Sequence, residues 1–345
     1  MSHFSAAFAP GRVNLIGEHT DYNSGLALPF AVSQGVTVRS QPAAGGSFQA
    51  LALDLGEQDR FEHSPSPGPG GWRAFVRGAV AELELTGVNV PTARIELSGN
   101  VPQGAGLSSS AALAVALCLS LYGLAETPAP DPLTLSRLTQ RIEHRWLGAQ
   151  TGLLDQLASI CGTPDHAVLI DFRSFELTQL PLELRGHRLV TLSSGEPHTL
   201  AESGYNTRRA ECAEAARRMG AESLREATIQ DLHLLPDVLA RRARHVISEN
   251  GRVLQAVTAL RRGDLEQLGE LLNRSHRSLR DDFEVSTPAV EQAVQSLKVA
   301  GALGARLMGG GFGGSVLGLM PPDAPVPPDA LTVAPSAGAR LIAGG

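Results

Sequence analysis

The chain has 345 residues, 43% of them hydrophobic and 19% charged, with a formal net charge of −6; this is the make-up of a soluble globular protein long enough for two domains. A negative chain has no general attraction for phosphate backbones, so nucleic-acid binding is disfavoured. The three cysteines (Cys118, Cys161, Cys212) lie far apart, the first residues lack a signal-like apolar run, and no stretch suits a membrane span, so the expectation is a reduced, cytoplasmic protein without membrane contact.

In chain order, residues 13–16 read as a strand and are followed by the loop GEHTDYNSG, which carries Glu18, His19 and Asp21. Residues 35–39 and 48–54 are strand-like, and the proline- and glycine-rich 63–71 is a loop. Helical spacing over 72–85 places Phe75, Val76, Ala79, Val80 and Leu83 on one face. A strand at 93–97 precedes a buried helix over 109–121, apolar nearly all round. After the loop 126–132, residues 133–146 form an amphipathic helix with Leu135, Leu138 and Ile142 inward, and 153–160 another. Beyond residue 162 the pattern is strand-rich, then helical from about 206 to 301, then strands at 304–320 before a proline-rich loop at 321–328. Strands and helices mix without strict alternation, which favours α+β layers over a doubly wound parallel sheet. The domain division is placed near residue 172, giving units 1–172 and 173–345.

Three segments carry chemistry. In NVPQGAGLSSSAALAVAL (100–117), Gly104 and Gly106 allow a sharp turn and close approach to a ligand, and Leu107, Ser108, Ser109 and Ser110 lead into the buried helix. A helix start offers unpaired N–H groups and positive dipole charge to a phosphate. Serine hydroxyls there can cap the helix, bond phosphate oxygens or ligate Mg²⁺; the plain alternative is a serine-capped helix after a flexible turn. Lys298 is the only lysine, against 28 arginines. Neither a Walker-type loop nor a protein-kinase strand lysine is therefore available. If the chain handles ATP, charge must come from backbone amides, arginine and metal ions.

The second segment, APGRVNLIGEHTDYNSGLALPFAV (9–32), crowds Arg12, Glu18, His19 and Asp21. Carboxylates accept hydrogen bonds in two directions, so such a loop can read paired hydroxyls of a polyhydroxylated ligand; a polar surface turn is the alternative. The third, GARLMGGGFGGSVLGLM (304–320), sets five glycines between two apolar runs. No helix follows it, so a dinucleotide site is disfavoured and close backbone packing against a neighbouring loop is the reading. Asp155 lies among Leu153, Leu154, Leu157 and Ala158, a place where a charge has a partner or a task, or else caps a helix. His276, Arg277, Arg280, Asp281 and Asp282 read as a charged helix surface.

In this order the three segments resemble the signature motifs of the GHMP kinase superfamily, and GRVNLIGEHTDYN is similar to the galactokinase branch at nearly every position. TGLLDQ, GYNTRR and LLNRSHRSLRDDFEVSTP also resemble that branch. The resemblance implies a two-domain α+β kinase, its N-terminal domain ribosomal-protein-S5-like and its C-terminal domain ferredoxin-like, with ATP, Mg²⁺ and galactose in the cleft. By motif position it implies Arg12 and Asp155 as the catalytic pair at the sugar 1-hydroxyl. Glu18 and His19 would meet the 6-hydroxyl and Asp21 the 3- and 4-hydroxyls, with Gly152 and Tyr205 completing the pocket. Gly104, Gly106, Leu107 and Ser108 to Ser110 would hold the ATP phosphates, and Ser110 and Glu143 the Mg²⁺. Phe283, where tyrosine is usual, and Thr151, where cysteine or another small residue is common, depart from the branch. The rival readings are another GHMP kinase, for N-acetylgalactosamine or arabinose, and a non-catalytic galactose and ATP sensor. A monomer is the default.

Overall fold

The computed structural model describes residues 4–66, 68, 70–102, 104–196 and 201–342; Pro67 and Pro69 of the 63–71 loop and Gln103 of the glycine loop lie outside these. β1 (Ser5–Asn14), β2 (Leu26–Ala27), β3 (Pro29–Pro42), β4 (Phe48–Ala52), β5 (Glu57–Phe61), α1 (Trp72–Leu85) and β6 (Ala93–Gly99) come first, followed by α2 (Ser109–Leu124), α3 (Pro132–Ile142) and α4 (Leu154–Cys161). β1 and β3 are antiparallel, with the register slipping between Pro10 and Arg12, where a proline without a donor is tolerated. The strand expected at 13–16 in fact ends at Asn14. Leu15 and Ile16 turn out of it and bond to Leu28, Leu15 N donating to Leu28 O and Leu28 N to Ile16 O.

The long apolar α2 lies across β1 and β3 and is buried on almost every side, because α1, α3 and α4 cover its outer faces. Asp131 caps α3 by accepting from Leu133 N and Thr134 N, with Pro132 in its first turn. Where the sequence suggested a helix to residue 146, α3 gives way to a π-helical turn, Glu143–Leu147, a local widening found disproportionately at functional sites.

The later part comprises β7 (His166–Asp171), β8 (Glu176–Pro181), β9 (Arg188–Ser193), α5 (Ala201–Arg218), α6 (Asp237–Arg262), α7 (Leu265–Asp281), α8 (Pro288–Val299), β10 (Gly304–Met308), β11 (Ser315–Met320), β12 (Ala330–Val333) and β13 (Arg340–Leu341). The sheets run β13-β1-β3-β6-β4-β5, β10-β11-β9-β12 and β2-β7-β8, with α7 and α8 packed on β10. Residue 172 falls in the turn between β7 and β8, and β13 returns to pair with β1. The mixed α+β expectation holds. Among the described residues no helix is long and apolar enough to cross a membrane. Lys298 stands exposed on the last turn of α8.

The charged surface expected around residue 276 is only partly so. His276 is buried on the sheet side of α7, where Leu307 N donates to its Nδ1 at 3.3 Å and its Nε2 lies 3.0 Å from Glu291. Burial pushes the imidazole down to about 4, leaving it neutral with the proton on Nε2. α7 and β10 cross without side chains: a Cβ on Gly304 would lie 2.1 Å from the Gly269 carbonyl oxygen. Gly304→Ala therefore forces two backbones apart and is expected to cost about 1–3 kcal/mol; calorimetry reads this as a lowered Tm, and an unchanged Tm would mean that the helix can simply move away.

Candidate active site

Arg12, on β1 just past the bulge, reaches across to the first turn of α4. Its Nε donates to Asp155 Oδ1 at 2.7 Å and its Nη2 to Oδ2 at 2.8 Å, a bidentate pair, while Nη1 donates to the Gly106 carbonyl at 2.8 Å. Ser108 Oγ donates to Asp155 Oδ2. Ser108 is the N-cap of α2 and has a left-handed φ of 55°, unusual for a residue with a Cβ. Its hydroxyl serves Asp155 instead of capping the helix. The glycine loop is pressed on the strand: Arg12 N donates to Leu107 O at 2.9 Å, and a Cβ on Gly11 would lie 2.4 Å from that same oxygen.

Beside this pair lies a cavity of about 130 Å³ lined by Arg12, Glu18, His19, Asp21, Thr151, Gly152, Leu154, Asp155, Tyr205, Gly309 and Gly310. Drug-sized pockets hold about 300–1,000 Å³, so this one suits a single small polar molecule. Glu18 Oε1 accepts from Gly309 N and lies 2.8 Å from Nη2 of the fully buried Arg306. His19 has a left-handed φ of 62°, packs on Phe283 and shares a 2.8 Å hydrogen bond with the Tyr22 hydroxyl. Burial, reinforced by His245, lowers its pKa to about 3, so the imidazole is neutral. Burial and then the nearby Asp155 push Asp21 up to about 6. Gly152 permits that crowding, since a Cβ there would fall on the Asp21 carboxylate. Tyr205, on α5, closes the cavity against the Gly152 backbone and the ring of Tyr22.

A second, more apolar cavity of about 420 Å³ adjoins the start of α2, lined by Trp72, Phe75, Leu97, Val101 and Leu113 with Asp54, Ser109 and Ser110 at its polar edge. The Trp72 indole is fixed by donating to Glu57 at 2.8 Å. A recess over β4 and β5, lined by Gln49, Gln58, Asp59, Arg60 and Arg94, is of similar size but shares no residue with either.

Glu143, in the π-turn, is buried. Its Oε2 accepts from Thr151 Oγ1 at 2.6 Å and Gln156 Nε2 at 2.8 Å, and Ser110 bonds to the same carboxyl. Burial raises its pKa to about 7. No group of three or more His, Cys, Asp or Glu able to hold a metal occurs among the described residues. Glu143 and Ser110 offer two hard oxygens, the set expected of a cation that keeps most of its waters and is shared with phosphates.

The sequence reading missed several contributors. Gly309 and Gly310 line the small cavity, whereas the 304–320 segment was read as packing alone; the packing is present too, with Gly311 against Val285. Arg306 and Trp72 carried no signal beyond the positions of one arginine in a strand and one tryptophan at a helix start.

The galactokinase galactose-binding signature matches residues 2–42, the GHMP kinase N-terminal domain 74–163 and the GHMP kinase C-terminal domain 256–327. A Methanococcus jannaschii mevalonate kinase superposes with a TM-score of 0.64 at 15% identity, covering 98% of this chain and 99% of that one, which shows a common fold. Fold and loops together define a GHMP kinase. A Lactococcus lactis galactokinase, solved in complex with galactose, superposes with a TM-score of 0.89 at 31% identity over 98% of this chain and 95% of that one. A Thermotoga neapolitana galactokinase is 42% identical over 310 residues, 90% of this chain and 87% of the relative, and a Thermotoga maritima one 40% identical over 311 residues, covering the same shares. The chain belongs to the galactokinase family.

Asp21 makes the cavity's electrostatics testable. Its folded pKa lies above the ordinary 3.8, so the stability it contributes is fully present below the unfolded value and is lost as pH rises through the folded one. Asp21→Asn removes this term. The variant's Tm should exceed that of the wild type above about pH 6 and converge with it below about pH 4; a Tm gap independent of pH across that window would rule the mechanism out.

Proposed function

We propose that the chain transfers the γ-phosphoryl group of ATP to the 1-hydroxyl of galactose, giving galactose 1-phosphate and ADP. The observation that carries this is the position of the Arg12–Asp155 pair: Asp155 lines the small polar cavity, and Arg12 grips the glycine loop through Gly106. One ion pair thus joins the small cavity to the glycine loop.

In this reading galactose lies in the small cavity. Asp21 takes the 3- and 4-hydroxyls, and Glu18 and the neutral His19 take the 6-hydroxyl, between the walls made by Gly152 and Tyr205. The 1-hydroxyl rests on Asp155. Three of that carboxylate's acceptor positions are filled by Arg12 and Ser108, out of about four such positions on a carboxylate, which leaves room for one substrate hydroxyl. A loose phosphoryl-transfer transition state asks mainly for alignment and charge neutralisation, so Asp155 orients the nucleophilic oxygen and takes up its proton as the bond to the γ-phosphorus forms and the bond to ADP breaks, with Arg12 balancing the charge.

The ATP phosphates lie along Gly104, Gly106, Leu107 and Ser108 to Ser110, on the first amides of α2, and the adenine enters the apolar cavity beside Trp72. Ser110 and Glu143 would hold Mg²⁺, which when bound neutralises phosphate charge. The units 1–172 and 173–345 supply the two sides of the site. The chain acts as a cytoplasmic monomer whose partners are galactose and ATP, with neither nucleic acid nor membrane.

A coupled ADP assay over galactose, N-acetylgalactosamine, arabinose, mevalonate and homoserine tests the substrate: galactose should give the highest kcat/KM, and binding of both ligands without ADP release would mean a sensor. Asp155→Asn should lower kcat by about 10²–10⁴-fold while nucleotide binding, followed by calorimetric titration, persists; near-normal turnover would remove Asp155 from the mechanism.

A further inference from the structure

α6 turns an unexpectedly polar face towards the protein interior. His245, Glu249 and Asn250, at i, i+4 and i+5, all point at the backbone of the loop after β1. His245 Nε2 donates to Glu18 O at 3.1 Å, Gly17 N donates to Glu249 Oε1 at 3.1 Å, and Leu26 N donates to Asn250 Oδ1 at 2.8 Å. The start of the loop, at the Gly17 amide and the Glu18 carbonyl, and its end, at the Leu26 amide, are thereby held by side chains of one helix.

We propose that Glu249 is a positioning residue for sugar recognition: by fixing the Ile16–Gly17 peptide from behind through the Gly17 amide, it aims the Glu18 carboxylate, on the next residue, at the exocyclic hydroxymethyl group of the sugar. This rests on the reading above, in which Glu18 and His19 meet the 6-hydroxyl.

Three observations carry it. Glu249 is fully buried, and its carboxylate takes two donors besides Gly17 N, Oε1 also accepting from Ser275 Oγ at 2.6 Å and Oε2 from Arg252 Nε at 2.5 Å. Burial alone would raise its pKa, but Arg252, His245 and Arg306 outweigh that and hold it at about 2, so the group is charged. A buried ion pair is a poor device for stability alone, since apolar side chains of the same volume serve at least as well. The peptide it grips is also one that needs gripping. Gly17 has a φ of 105°, and a Cβ there would lie 2.6 Å from Leu26 O, so the position must be glycine and carries glycine's conformational freedom. A rotation of this peptide would swing Glu18 away from Gly309 N and Arg306, the two partners that set its carboxylate. Glu249 touches none of the cavity, so it acts only through that peptide.

The test compares galactose with 6-deoxygalactose, which lacks only the hydroxyl in question. Glu249→Met keeps the length of the side chain but offers the Gly17 amide no acceptor oxygen. It should raise the KM for galactose and lower the ratio of kcat/KM for galactose over 6-deoxygalactose by about tenfold, with kcat and the KM for ATP unchanged. Ser275→Ala, a milder change that removes one donor from Oε1, should lower the same ratio by about threefold, and it decides alone if Glu249→Met does not fold. Variants that lose activity on both sugars equally, or keep the wild-type ratio, overturn the positioning role. A wild-type chain that does not phosphorylate galactose at all removes the functional reading and this proposal with it, an outcome visible before any variant is made.

Discussion

The guanidinium of Arg12 is the joint of the molecule. From a single buried side chain it holds a carboxylate on α4 in two-point register and a carbonyl of the glycine loop 94 positions away in sequence. Arginine does this where lysine could not, because its planar fork supplies several donors in fixed directions. The chain has no lysine near the glycine loop, so cationic charge there has to be delivered from the neighbouring strand. The pair is sheltered on the arginine side and more open on the carboxylate side, with side-chain exposures of 8% and 29%. Both ends line the cavity, the carboxylate with the greater exposure.

The glycine hairpin between β10 and β11 complements that joint from the opposite side. At one end Gly309 N reaches Glu18; at the other Ser315 Oγ donates to the Gly104 carbonyl at 2.8 Å. Gly106 rests against Ser315 and Met308 with little room to spare. The same short segment therefore touches both the acidic loop and the glycine loop, so a third stretch of chain ties the two together.

Much of this was legible in the sequence, for reasons that differ by element. α1 and α3 have a clear apolar face, and α2 is so apolar that only burial on all sides explains it. The acidic loop and the serine-rich helix start stand out because polar groups are packed where turn chemistry alone does not require them. That these segments meet follows from resemblance, not from periodicity. Tyr205 is an ordinary residue on a helix of low amphipathicity, and nothing local announces that α5 lies over the cavity. The π-turn was hidden because a one-residue widening leaves the hydrophobic spacing of α3 almost unchanged. α6 was hidden for the opposite reason: polar side chains such as His245, Glu249 and Asn250 do not say from sequence whether water or a peptide satisfies them. His276 misled in the same way.

The solitary Lys298 has a practical side. It stands in the open on α8 and lines neither of the cavities beside the glycine loop. Apart from a free chain amino terminus, it is the one primary amine that an acylating reagent can find. A dye, a tether or a sensor surface coupled through amines would therefore seize nearly every molecule by the same handle and in the same orientation, leaving the clefts open to solution.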